Sequence, residues 1–342
     1  MLFKAAPILC IQSAWLLLVI VQPMHAAEPV RMGSGLMTFD TVPDWGLDSQ
    51  GKSQIGSTHG NVVVDSRGQI NTSSNRGIFV FSSDGKMARQ YLGIDHTGLH
   101  DMEIRNEDGH DYIYGARNKA GEGIKFEAAT GTVKVRFGIP SKEECGLEIA
   151  QWAPTAITVG PDGDVYLSDG YASNRIFRFS KDGEYRSHFG RKGNGTKEFN
   201  TAHGMTLDDR YSPPRLLICD RNHQPKGRLV HYSLDGDYIE DVMPGLGMPT
   251  SVAIRGDYVA VPDLQGRLVI LDKDNTIMSV LGFNSDTKTR GSFKVPQEQW
   301  QEGIFSGTHG ACWDNQGNLY VQDWNISGRI MKLVRVSAGQ GE

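Results

Sequence analysis

Four histidines share one local setting, each opening a short apolar run: His59-Gly60, His100-Asp101, His203-Gly204 and His309-Gly310. A neutral imidazole binds divalent cations through one ring nitrogen, and three of them around an open position suit zinc with a site left for water or substrate. Other runs end in different polar groups: Ser168-Asp169-Gly170-Tyr171, Cys219-Asp220-Arg221-Asn222 and Ser74-Asn75-Arg76. A phenol beside a cation could act as a base, and guanidinium groups could hold a carboxylate in bidentate fashion. Whether these groups meet depends on the elements that carry them.

Those elements repeat. Six starts align, centred on His59, His100, Pro154, His203, Pro249 and His309, spaced about 41 to 60 residues apart. A period of that length signals a propeller or solenoid. The third unit is the clearest, with runs 156–159, 165–168, 175–179 and 185–189 separated by turns at Pro161-Asp162-Gly163 and Lys181-Asp182-Gly183. Short runs joined by Asp-Gly turns are hairpin grammar, and four in succession make one antiparallel sheet. Such a sheet cannot cover both its faces alone, so the expected fold is all-β, a six-bladed β-propeller in which neighbouring blades bury one another. Residues 34–335 would form this single domain. The segment 34–47, with Phe39 and Trp45, precedes the first unit and is expected to pair into the last blade and close the ring.

In such a ring the residue before each innermost strand and the loop between the second and third strands lie on the same face, around the axis. Blades 2, 4 and 6 would then bring His100, His203 and His309 together as a three-fold tripod of metal ligands. Pro154 and Pro249 offer no ligand. A His-Gly turn kept only for packing would not explain this alternation. His59 breaks it, as a fourth ligand, a donor behind the ligands or a relic of the repeat. Of the other histidines, His96, His110, His188, His223 and His231 fall in turns or outer strands. Tyr171 and Arg221 have no counterpart in other units, whereas the pairs Asp169/Arg175, Asp220/Arg228, Asp263/Arg267 and Asp323/Arg329 recur and are expected to fix hairpins.

Composition narrows the function. The 342 residues carry 35 Lys plus Arg against 40 Asp plus Glu, a net charge of −5, which speaks against a nucleic-acid binder. With 41 glycines, 39% hydrophobic and 22% charged residues, the chain is too apolar for disorder and too glycine-rich for a helical bundle. Lys4, the apolar stretch 14–21 and Ala26-Ala27 read as a signal peptide over residues 1–26, so a secreted or periplasmic protein with no membrane span after cleavage is expected. Cleavage would leave Cys145, Cys219 and Cys312, an odd number without metal-type spacing, read as buried thiols.

The segments 174–179 (NRIFRF) and 328–333 (GRIMKL) resemble NHL repeats. The ordered combination of 154–159 (PTAITV), 165–171 (VYLSDGY), 202–204 (AHG) and 219–221 (CDR) resembles, more narrowly, the peptidyl-α-hydroxyglycine α-amidating lyase (peptidylamidoglycolate lyase) family and its bacterial relatives. The likeness runs over most of residues 36–335. It implies a zinc ion held by His100, His203 and His309, a catalytic tyrosine at Tyr171, and active-site arginines at Arg221 and Arg76. The implied reaction converts a peptidyl-α-hydroxyglycine to an amide and glyoxylate, with Tyr171 removing the hydroxyl proton and the arginines holding the terminal carboxylate. The sequence departs from the family where Gly310 replaces the aspartate of its structural calcium site, where Ala172 replaces a disulfide cysteine, and where Arg76 aligns only after a one-residue shift. The expected protein is therefore a monomeric, exported, zinc-dependent lyase acting on a small molecule or peptide with a terminal carboxylate. A non-catalytic NHL binding scaffold and a calcium-dependent lactonase-type hydrolase are the alternatives.

Overall fold

The computed structural model describes residues 27–336; the expected signal peptide, with Cys10, lies outside them. Six antiparallel sheets follow one another along the chain. Blade 3 runs Ala156–Val159, Val165–Ser168, Ile176–Phe179 and Tyr185–Phe189, paired in chain order with Ala156 opposite Ser168. Blades 1, 2, 4 and 5 repeat that order, their innermost strands being Val62–Val64, Leu99–Glu107, Ala202–Asp208 and Ala253–Arg255. The tight turns need a residue at positive φ, which Gly163 and Gly183 supply at 86° and 93°. No helix among the described residues is long and apolar enough to cross a membrane.

Blade 6 is assembled from both chain ends. Thr308–Trp313, Leu319–Asp323 and Ile330–Arg335 supply three strands, and Met37–Thr41 adds the fourth by pairing Thr41 with Leu333 and Phe39 with Arg335. Arg31–Ser34 extends the sheet to a fifth strand, so the closing segment begins three residues before the expected boundary. Phe39 is fully buried, and Trp45 packs its ring 5.4 Å from Phe81 of blade 1 and 5.2 Å from Tyr320 of blade 6. The seam is thus closed by hydrogen bonding and by aromatic burial together, each large side chain contributing about 2–3 kcal/mol of transfer free energy.

The core lies between blades. Ile157, Leu167 and Phe177 of blade 3 meet Tyr114, Ala116 and Phe137 of blade 2, and similar clusters fill the other walls. Alternation along each strand sends apolar side chains into these walls and leaves the strand starts near the axis free for polar groups. Cys145, Cys219 and Cys312 are free thiols, but only Cys219 is buried as expected; Cys145 and Cys312 are half-buried.

Candidate metal and substrate site

The start of each innermost strand is placed by the blade before or after it, and the placement decides how the histidines are held. His100 Nδ1 lies 2.7 Å from the Thr155 carbonyl, His203 Nδ1 2.7 Å from the Thr250 carbonyl, and His309 Nδ1 2.8 Å from the Gly60 carbonyl. A carbonyl only accepts, so each Nδ1 carries the proton and each Nε2 presents a lone pair. Blades 2, 4 and 6 supply the imidazoles while blades 3, 5 and 1 supply the carbonyls, which accounts for the alternation in the sequence.

The rings converge. Centroid separations are 4.6 Å for His100 and His203, 4.7 Å for His100 and His309, and 5.0 Å for His203 and His309. His59 is not a relic: it stands 4.8 Å from His100 and 4.7 Å from His309, so the four rings form two triangles sharing one edge. Ligand atoms of His59, His100 and His309 all lie within 4.8 Å of one another, a grouping able to hold a metal ion. His203 completes the cluster from the other side, where the Tyr171 hydroxyl is 3.0 Å from both His203 Nε2 and His100 Nε2.

This arrangement has more lone pairs than protons. The Tyr171 hydroxyl can donate to one of its two imidazole neighbours, leaving the other Nε2 facing a phenolic oxygen, and His309 Nε2 is buried with no partner. Protonating the rings is no remedy, because burial holds His100, His203 and His309 well below the ordinary histidine range and lowers His59 to about 4, with Arg221 and Lys119 adding to the effect at His59. Neutral imidazoles with inward lone pairs fit a divalent cation.

Tyr171 and Arg221 come together as the sequence implies. Arg221 Nη1 donates to the Tyr171 hydroxyl at 3.3 Å, and its guanidinium lies 5.3 Å from the phenol ring centre. The Arg221 Nε is buried without an acceptor, and among the described residues no carboxylate pairs with it. Burial raises the Tyr171 phenol above its usual range and Arg221 only offsets this, so in the protein alone the nearby cation does not favour ionisation as expected. The loop is clamped by Asp169, which accepts from the amides of Ala153 and Ser173 at 2.7 and 2.8 Å. At Gly170 any Cβ would collide with the Ala202 carbonyl, so the close approach of this loop to the His203 strand requires glycine.

Arg76 takes no part in this contact. Its guanidinium donates to the Gln54 carbonyl at 2.8 Å and lies 5.5 Å from the Phe79 ring centre, and among the described residues it makes no hydrogen bond to the histidines, Tyr171 or Arg221. The recurring Asp/Arg pairs form at Asp220/Arg228, Asp263/Arg267 and Asp323/Arg329, at 3.1, 2.8 and 3.7 Å. Asp169 and Arg175 instead meet through the backbone, the Asp169 amide donating to the Arg175 carbonyl. The shared role of these aspartates is to bind amides just before an innermost strand, as Asp220 does with Asn200 and Asp323 with Ser306.

Two aromatic residues at the site were not singled out by the sequence. The Trp324 ring lies 5.7 Å from His59, and Phe293 lies 5.3 Å from Trp324. Trp324 directly follows Asp323 in the loop position that Arg221 occupies after Asp220, a register signal readable from the repeat. Phe293 sits in a connection between blades 5 and 6 that has no counterpart elsewhere, so no repeat could reveal it.

Comparison with known proteins agrees with the fold. A family model described as a 6-bladed beta-propeller (DUF5128) matches residues 158–244. A streptogramin B lyase structure superposes with a TM-score of 0.55 at 13% identity, covering 82% of this chain and 94% of that one. A gluconolactonase from Xanthomonas campestris gives 0.59 at 11% identity, covering 92% and 99%. A chain of a nidogen/laminin complex gives 0.51 at 13%, covering 75% and 85%. Enzymes and a binding module share this scaffold, so the chemistry must be argued from the residues at its centre.

Proposed function

We propose that the protein is an exported, metal-dependent lyase that cleaves an N-acyl-α-hydroxyglycine-type substrate to an amide and glyoxylate. The observation that carries this reading is the Tyr171 hydroxyl, held 3.0 Å from two imidazole nitrogens with the unpaired Arg221 guanidinium beside it. A base, a cation for a carboxylate and a set of metal ligands therefore share one small space. The ligands are His100, His203 and His309, with His59 adjoining two of them. A divalent ion such as zinc, when bound, supplies positive charge that favours ionised oxygens next to it.

The chain's own residues then divide the work. Arg221 pairs with the substrate carboxylate and fixes the α-carbon over the histidines. Tyr171, as phenolate, takes the proton of the α-hydroxyl. The oxygen's electron pair forms the aldehyde carbonyl of glyoxylate, the carbon–nitrogen bond breaks, and its pair stays on nitrogen, which takes that proton back from Tyr171 to become the amide and restores the phenolate. The Thr155, Thr250 and Gly60 carbonyls keep the imidazoles from rotating during this sequence.

The test is glyoxylate release by zinc-loaded protein from a peptide ending in α-hydroxyglycine. Wild type should release it, and Tyr171→Phe should be slower by about a hundredfold or more while retaining the metal. Equal rates for the two proteins would remove Tyr171 as the base. A native protein that takes up no metal would instead favour a binding scaffold.

A further inference from the structure

The histidine cluster has two unlike flanks. Tyr171 and Arg221 belong to blades 3 and 4; half a turn around the ring, where blades 6 and 1 meet, stand Trp324, Phe293 and His59. This second flank is built. Phe293 lies in the segment between Leu281 and Thr308, whose backbone is tied to blade 6 at several points: the Ile326 amide donates to the Phe293 carbonyl at 2.9 Å, Asn325 Nδ2 to Val295 at 2.8 Å, and Arg329 to Ile304 and Gln301 at 2.6 and 2.5 Å. Trp324 and Phe293 remain only half-buried despite this anchoring. Ile326, tied to the same segment, is 46% exposed. No carboxylate among the described residues pairs with Arg221 across the site, so one side is cationic and the other aromatic.

Resting on the lyase reading, we infer that this wall receives a flat aromatic group at the acyl end of the substrate, while Arg221 takes the carboxylate at the other end. The substrate class is then an N-aroyl-α-hydroxyglycine, or a short peptide with an aromatic residue in front of its hydroxyglycine, with its amide lying over the histidines. Trp324 and Phe293 set specificity and touch none of the reacting atoms. Stacking on an indole held by a neighbouring ring favours a flat partner over a methyl group by both area and ring geometry.

Calorimetric titration of the zinc-loaded protein with N-benzoylglycine and with N-acetylglycine reads the wall without turnover. Wild type should bind the benzoyl acid about tenfold tighter or more. Trp324→Ala should bring the two within about twofold, Phe293→Ala should fall between, and Trp324→Phe should keep most of the preference, each with an unchanged melting temperature. Equal affinities in wild type, a preference that survives Trp324→Ala, or no binding of either acid would overturn the wall. Glyoxylate assays on the N-benzoyl and N-acetyl α-hydroxyglycines separate the two readings. A Trp324-dependent benzoyl preference without glyoxylate keeps the wall and removes the lyase; glyoxylate at equal efficiency from both acids keeps the lyase and removes the wall.

Discussion

The innermost strand of blade 4, Ala202–Asp208, carries His203 next to its start and Asp208 at its end, and its two ends treat buried polar groups in opposite ways. At the Asp208 end everything is paired: the carboxylate accepts from Arg210 at 2.6 Å and lies 3.0 Å from His231 Nε2, and Arg210 reaches Asn275 at 2.9 Å. At the His203 end Nε2 has no proton, the neighbouring His309 Nε2 has no partner, and Arg221 has no counter-ion among the described residues. One strand thus carries a closed electrostatic cluster and an open one. A closed cluster is what a fold needs; the open one in the same protein leaves a lone pair on His309 and a guanidinium N–H on Arg221 free to meet a ligand.

The comparison breaks first at the closed end. Asp208→Ala leaves the buried Arg210 and His231 without their carboxylate and should cost about 3 kcal/mol or more of unfolding free energy. Denaturant titration checks this, with zinc affinity expected to stay at the wild-type value. A large loss of zinc affinity with little loss of stability would mean that the two ends are not independent.

His203→Ala sharpens the contrast from the open end. Removing an imidazole whose Nε2 is satisfied at most by one shared phenol proton should change the stability of the metal-free protein by only about 1 kcal/mol. Zinc affinity should fall at least about a hundredfold, as read by competition with a chromophoric chelator, and the thermal shift given by saturating zinc should shrink accordingly. If zinc affinity is unmoved, the ion sits in the triangle of His59, His100 and His309 alone.

How much of this was legible in the sequence follows from what a repeat can encode. The Asp-Gly turns and the alternating runs specify hairpins, and six four-stranded units of them specify the ring, because side chains and turn glycines are written in the sequence directly. The same holds for His100, His203, His309, Tyr171 and Arg221, which one geometric rule brings to the axis. The proton-holding carbonyls of Thr155, Thr250 and Gly60 were not legible, since every residue has a carbonyl and only the packing of adjacent blades selects three. Arg76 shows the converse failure. Its loop position suggested the site, but the side chain finds Gln54 and Phe79 nearer at hand. Phe293 lies in an insertion, where periodicity carries no information at all.

The smallest expected effect is the separation of the two ends by acid. Burial works against ionisation of Asp208, but hydrogen bonds from Arg210 and His231 outweigh it and hold the carboxyl at about 2. A carboxyl depressed in the folded state gives stability that is complete above its unfolded value, near 4, and is lost as pH falls from there towards 2. At the open end His59 is lowered from the ordinary histidine value to about 4, so the unfolded chain takes up protons there first and stability declines as pH falls from about 6.5 to 4. Asp208→Asn should therefore lessen the loss below about pH 4 and leave the upper limb intact, whereas His59→Gln should lessen the loss between about pH 6.5 and 4 without abolishing it, because His100, His203 and His309 are depressed as well and share that limb. Saturating zinc competes with protons for the imidazoles and should steepen the upper limb, because acid then removes the ion's contribution as well. Melting temperature followed from pH 7 to pH 2 distinguishes the limbs, and an upper limb altered by Asp208→Asn would mean that both ends of the strand titrate as one cluster.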